Sequence, residues 1–147
     1  MTSRNTHNRI IAYYTITGAE LVPGEVTRRT RLTPSRVWNR GEIRHAATGK
    51  IHENSGWGIT SRLGEAESVT SHLVDLLTQL DAASEVLAEL AVNFKAYLTI
   101  VIYAHEFVPE MTFDRDVLAK LAALRVEANI DFYCLVDDEM SIDQAGE

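Results

Sequence analysis

Five histidines, one cysteine and a cluster of arginines are the side chains of this chain best suited to chemistry. His45 and His52 stand in one irregular stretch with Glu42 and Glu53 beside them, a set that could share a metal ion only if all four converge. Spacing alone does not bring them together, so solvent-exposed loop histidines are the expected outcome and no metal is assigned. His72 falls on the polar flank expected for its helix, and His105 precedes Glu106 just past a strand end; either could act as a general base where a pocket forms around it. Cys134 alternates with Phe132 and Val136 on an apolar strand face, which predicts a small core residue rather than a nucleophile. A phosphate-cradling glycine loop, His-Glu-x-x-His, Cys-x-x-Cys and Gly-x-Ser-x-Gly are all missing from the sequence. No catalytic residue and no cofactor is therefore assigned.

The arginines point to a different chemistry. Through residue 62 the chain holds ten Lys and Arg against four Asp and Glu, a net of +6; after it, four against seventeen, a net of -13, giving -7 for the whole. Either the two halves pair and solvate their charges on opposite faces, or the surface carries one basic and one acidic patch, each able to steer an oppositely charged partner. Arg36, Arg40 and Arg44 lie in the stretch from Thr33 to Asn54 and form the candidate anion-binding set. Joined by Arg28, Arg29 and Arg31, they could also serve nucleic acid, which the overall negative charge disfavours.

The elements that must position these groups are legible from periodicity. Arg9 to Thr17 and Lys95 to Ala104 alternate as strands with two apolar or aromatic faces, Ser55 to Ser61 is a Trp-containing strand, and Val126 to Val136 alternates most cleanly. The spacing of Val69, Leu73, Leu76, Leu77 and Leu80 predicts a helix over Ser68 to Leu80, with a second helix following Asp81 at once. A short helix over Pro23 to Arg31 and another over Phe113 to Leu124, with Val117, Leu118, Leu121 and Leu124 facing inward, complete the set. Thr33 to Asn54 is a long irregular connection with short strands near Arg36 to Arg40 and Glu42 to Ala46. The fold class is α+β: a single mixed or mainly antiparallel β-sheet with helices on one face. Strand, Val-Pro, helix and extended segment occur in the first third and again in the last, which suggests a β-α-β pseudo-repeat. Residues 1–136 are expected to form one domain and 137–147, acidic and poor in apolar residues, a disordered tail. The polar opening, the single cysteine and the lack of a long apolar run predict a cytoplasmic chain with no membrane segment.

If the helices cover Ile10, Ala12, Tyr14, Leu98, Ile100, Ile102, Ile130, Phe132 and Cys134, the opposite face presents Tyr13, Thr15, Tyr97, Thr99, Tyr103, Asn129, Asp131 and Tyr133. Tyr13, Tyr97, Tyr103, Asn129, Asp131 and Tyr133 are the candidate interaction surface, unless the long connection folds across them. Trp57 is compatible with either face.

The opening strand, Thr33-Pro34 followed by Trp38 and Arg40-Gly41-Glu42, the Ser55-Gly56-Trp57 strand, the helix ending at Leu80 and the closing Ile130-Asp131-Phe132-Tyr133 resemble the bacterial domain-of-unknown-function 4279 family. The resemblance implies a small α+β domain without established enzymatic activity, in contexts similar to those of toxin-immunity proteins. The leading expectation is a non-enzymatic protein-interaction module of immunity type, whose acidic half would speed encounter with a basic partner such as a nuclease toxin. A second copy of the chain is a further candidate partner. The rival is a small-ligand-binding or hydrolytic enzyme with a pocket near Trp38, Trp57 and His45, flanked by Arg40 and Asp131.

Overall fold

A computed structural model describes residues 7–105 and 107–135. Ten-residue β1, Arg9–Gly18, is the central strand, antiparallel to β5 (Ser55–Thr60) on one side and β6 (Lys95–Ala104) on the other. Short β2 (Arg36–Trp38) continues antiparallel beyond β5, and β7 (Glu127–Cys134) lies parallel to β6, so the mixed sheet runs β2-β5-β1-β6-β7. β3 (Ile43–His45) and β4 (Lys50–Ile51) form a separate hairpin. Gly49, at φ +69°, supplies the left-handed residue of its turn, where the His45 carbonyl accepts from the Thr48 and Gly49 N–H groups.

Four helices fill the connections: α1 (Pro23–Thr30), α2 (Val69–Leu80), α3 (Ser84–Asn93) and α4 (Arg115–Leu124). Pro23 starts α1 where its missing N–H is not needed, Ser68 caps α2 by accepting from the Ser71 N–H, and Asp114 caps α4 by accepting from the Val117 N–H. Val26, Leu73, Leu76, Leu80, Leu87, Val117 and Leu121 from the helices meet Ile10, Ala12, Tyr14, Ile16, Trp57, Ile59, Leu98, Ile100 and Ile102 from the sheet in one buried cluster. Alternation along the strands thus commits one sheet face to the helices and leaves the other free of them. The β6-α4-β7 unit is the parallel crossover the pseudo-repeat suggests. In the first third the equivalent strands β1 and β2 also run in the same direction, with β5 inserted between them.

Three expectations change, and the open question of Trp57 closes. Leu118 is 54% exposed, because the α4 stripe that reaches the core is Val117, Leu121 and Leu124. His72 is buried: three residues after Val69 and four before Leu76, it falls inside the apolar stripe of α2 rather than beside it. Cys134 is exposed, because β7 is the edge of the sheet, and its helix-side residues Ile130 and Phe132 also stay open to solvent. Trp57 faces the helices, fully buried, with its Nε1 donating to Thr27 Oγ1 at 3.0 Å and its ring edge-on to Tyr14. The acidic 137–147 segment and Val136 lie outside the described residues. No helix among those described is long and apolar enough to cross a membrane.

Candidate functional site

The sheet face without helices carries a cleft of about 940 Å³. Its floor is Tyr13 and Thr17 of β1 with Tyr97 of β6, one side is Arg36 and Trp38 of β2, and the facing wall is the hairpin stretch bearing Arg44, Lys50, Ile51, His52, Glu53 and Asn54. β1 and β6 pair Thr15 with Tyr97 and Tyr13 with Thr99, which fixes these side chains on one face while their sequence neighbours enter the core.

The register of β2 on β5 sets the rest. Trp38 lies opposite Gly56 and Val37 opposite Trp57, so the two tryptophans point to opposite faces and only Trp38 belongs to the cleft. A Cβ on Gly56 would overlap the benzo ring of Trp38; the glycine is the floor on which the indole lies. His52 stacks on Trp38 with ring centroids 5.4 Å apart and planes 26° from parallel, tying the hairpin to the sheet. The hairpin base is closed by Gly41 N–H to the His52 carbonyl, His52 N–H to the Glu42 carbonyl, and Asn39 Nδ2 to Glu42 Oε1 at 2.7 Å. That last bond holds the Glu42 carboxyl below its usual pKa.

Arg36 is exposed but held in place. Its guanidinium lies 4.4 Å from the Tyr13 ring centre and 5.6 Å from that of Trp38, and its Nη2 donates to Oγ1 of the buried Thr15 at 3.1 Å. Cation–π contact and one hydrogen bond fix the plane of the fork while leaving its other N–H groups for a ligand. Arg36, Arg44 and Lys50 against Glu53 give the cleft a positive balance in a chain of net charge -7, and His52 adds ring nitrogens. Carboxylates and phosphates are the groups such a lining binds. Arg28 and Arg29, by contrast, are paired on the helix side with Glu25 and Glu89.

The predicted site residues divide accordingly. Tyr13, Tyr97, Arg36 and Arg44 meet in the cleft. Arg40 does not: it lies 3.8 Å from Glu20. Tyr103 and Tyr133 form a second cluster toward the β7 edge, stacked at 5.3 Å, with the Arg9 guanidinium 4.5 Å from the Tyr103 ring centre. Asn129 and Asp131 share the helix-free face with them, by the pairing of Thr99 with Asn129 and Val101 with Asp131, and both are exposed. His45 closes the hairpin turn, and the histidine beside Trp38 is His52. Among the described residues no three His, Cys, Asp or Glu side chains gather as metal ligands would. Lys50 was missed as a site residue, and His52 was raised only as a metal ligand beside His45. The signal that finds them is the Thr48-Gly49 turn, which folds the chain back so that residues following it return to the sheet.

Residues 5–135 match the family described as Domain of unknown function (DUF4279). The chain belongs to that family. No curated protein and no solved structure matches it. The family description assigns no activity.

Proposed function

We propose that this DUF4279 chain is a non-enzymatic binding module that recognises an acidic protein surface with the helix-free face of its sheet, the cleft taking the partner's anionic group. The observation that carries this reading is the convergence of Arg36, Arg44 and Lys50 with Tyr13, Trp38 and Tyr97 on the one sheet face without helices. Arginine and aromatic rings are the side chains that dominate protein interfaces, and here they extend beyond the cleft to Arg9, Tyr103 and Tyr133. An immunity-type role, in which the module masks its partner, is the form of this reading that the sequence suggested. The charge argument reverses, however: the face offered to the partner is basic, so the partner's complementary surface is acidic rather than that of a basic nuclease.

The test is capture from lysate of the source organism on the tagged chain, compared with the double variant Arg36→Glu, Lys50→Glu. A partner that is held by the unaltered chain, lost by the folded variant and released by raised salt supports the reading. A partner held equally by both places recognition elsewhere. The size of the cleft favours a second reading, since about 940 Å³ lies within the ~300–1,000 Å³ of small-molecule sites. Native mass spectrometry of the purified chain would then show a small anion retained by the wild type and absent from the variant.

A further inference from the structure

Among the described residues β7 pairs on one side only, with β6, and all eight of its residues are exposed. The Leu135 N–H donates to the Ala104 carbonyl at 2.7 Å, so the backbone groups of the odd-numbered residues turn toward β6. Those of Ala128, Ile130, Phe132 and Cys134 turn outward, because N–H and C=O alternate sides along a strand. Natural edges are usually blunted by Lys, Pro, a bulge or a short length. The sequence EANIDFYC contains neither residue, and β7 keeps an uninterrupted register with β6. It also carries Ile130 at 43% and Phe132 at 39% exposure.

We propose that β7 is a homotypic interface, pairing antiparallel with β7 of a second copy about a two-fold axis through Ile130. The axis stands perpendicular to the sheet, so the helices of both copies stay on one side and residues of one face meet residues of the same face. Centring on Asp131 would set Asp131 against its own copy, and centring on Asn129 would set Glu127 against the second copy's Asp131; like charges directly opposite are unfavourable. Centring on Phe132 leaves Glu127, Ala128 and Asn129 without a facing residue in the second copy's strand. With Ile130 on the axis, Asn129 faces the second copy's Asp131, Glu127 faces its Tyr133, and small Ala128 faces large Phe132. This register pairs the strand from Glu127 to Tyr133, uses the outward groups of Ala128, Ile130 and Phe132, and joins the two helix-free faces into one surface.

Sedimentation equilibrium on the full chain tests the proposal. The wild type should form a dimer that dissociates on dilution. Ile130→Pro removes an N–H that β6 does not use, so it should give a folded monomer by circular dichroism. Asn129→Asp should weaken the dimer several-fold by placing acid opposite acid twice, and adding Asp131→Asn should restore it. A wild type that sediments as a monomer throughout overturns the interface, as does a dimer indifferent to Ile130→Pro in a folded variant. A dimer lost with Ile130→Pro but indifferent to Asn129→Asp overturns the Ile130-centred register.

Discussion

Gly56→Ala is the smallest change that should dismantle the cleft. One methyl group at this position would occupy the space of the Trp38 benzo ring, and β5 cannot recede because Gly56 pairs with Thr17 of β1 on one side and with Trp38 of β2 on the other. Trp38 must therefore move. It sits on a three-residue edge strand and is only partly buried, so it can swing outward rather than force the core apart. The loss is then the stacking with His52, about 0.5–1.5 kcal/mol, plus the apolar contact of the indole with the sheet; a total near 1–3 kcal/mol is expected, the range for introducing volume into a packed site. The more diagnostic effect is local. Without Trp38 beneath it, His52 loses its anchor, the hairpin separates from the sheet, and Arg44 and Lys50 no longer face Arg36 across the cleft. In a Trp57→Phe background the fluorescence of Trp38 alone should shift to the red and become more accessible to quencher in Gly56→Ala, while urea unfolding reports the stability loss. Unchanged Trp38 emission together with a stability change under roughly 0.5 kcal/mol, the ordinary value for surface sites, would refute the packing assigned to Gly56.

Two further predictions concern buried polar groups. His72 is held below its ordinary pKa of 6.5 chiefly by burial, with Nδ1 2.7 Å from Ser61 Oγ; the unfolded chain thus binds the proton at higher pH than the folded one, stability is fully present above about 6.5 and falls as pH drops toward the folded value. Urea midpoints measured from pH 7.5 to 5 should decline, and in His72→Gln the part of the decline due to this group should vanish. Tyr14 is fully buried with a hydroxyl that has no hydrogen-bond partner among the described residues, and burial pushes its pKa far up; Tyr14→Phe should leave stability unchanged or raise it by up to about 1 kcal/mol, and any loss of stability in thermal unfolding would show that the hydroxyl is satisfied.

Strand faces were legible in the sequence because alternation is a local property. Tyr13, Tyr97 and Tyr133 needed only their neighbours Ala12, Leu98 and Phe132 to be assigned to the helix-free side, and register confirms each. What alternation cannot say is where a strand stands in the sheet. The cleanest pattern, Ala128, Ile130, Phe132 and Cys134, reads as a core strand, yet β7 is an edge and all four side chains are exposed. The same ignorance of position hid the division of the tyrosines into two clusters. Trp57 and Trp38 were separable only by pairing: once β2 sets Trp38 against Gly56, a tryptophan one residue further along β5 must face the other way.

Charge was legible as a total and not as a pattern. The basic first third suggested Arg36, Arg40 and Arg44 as one set, but the fold sends Arg40 toward Glu20 and brings Lys50 back across the hairpin in its place. A three-residue edge strand, a glycine floor and a two-stranded hairpin thus convert dispersed cations into a concave site, while Glu25 of α1 and Glu89 of α3 neutralise Arg28 and Arg29. Exposed ion pairs of that kind add little stability; their effect is to remove competing positive charge from the helix side. The cations of the cleft lie where Tyr13 and Trp38 hold Arg36 at a fixed angle, so long-range attraction and short-range recognition act at the same place.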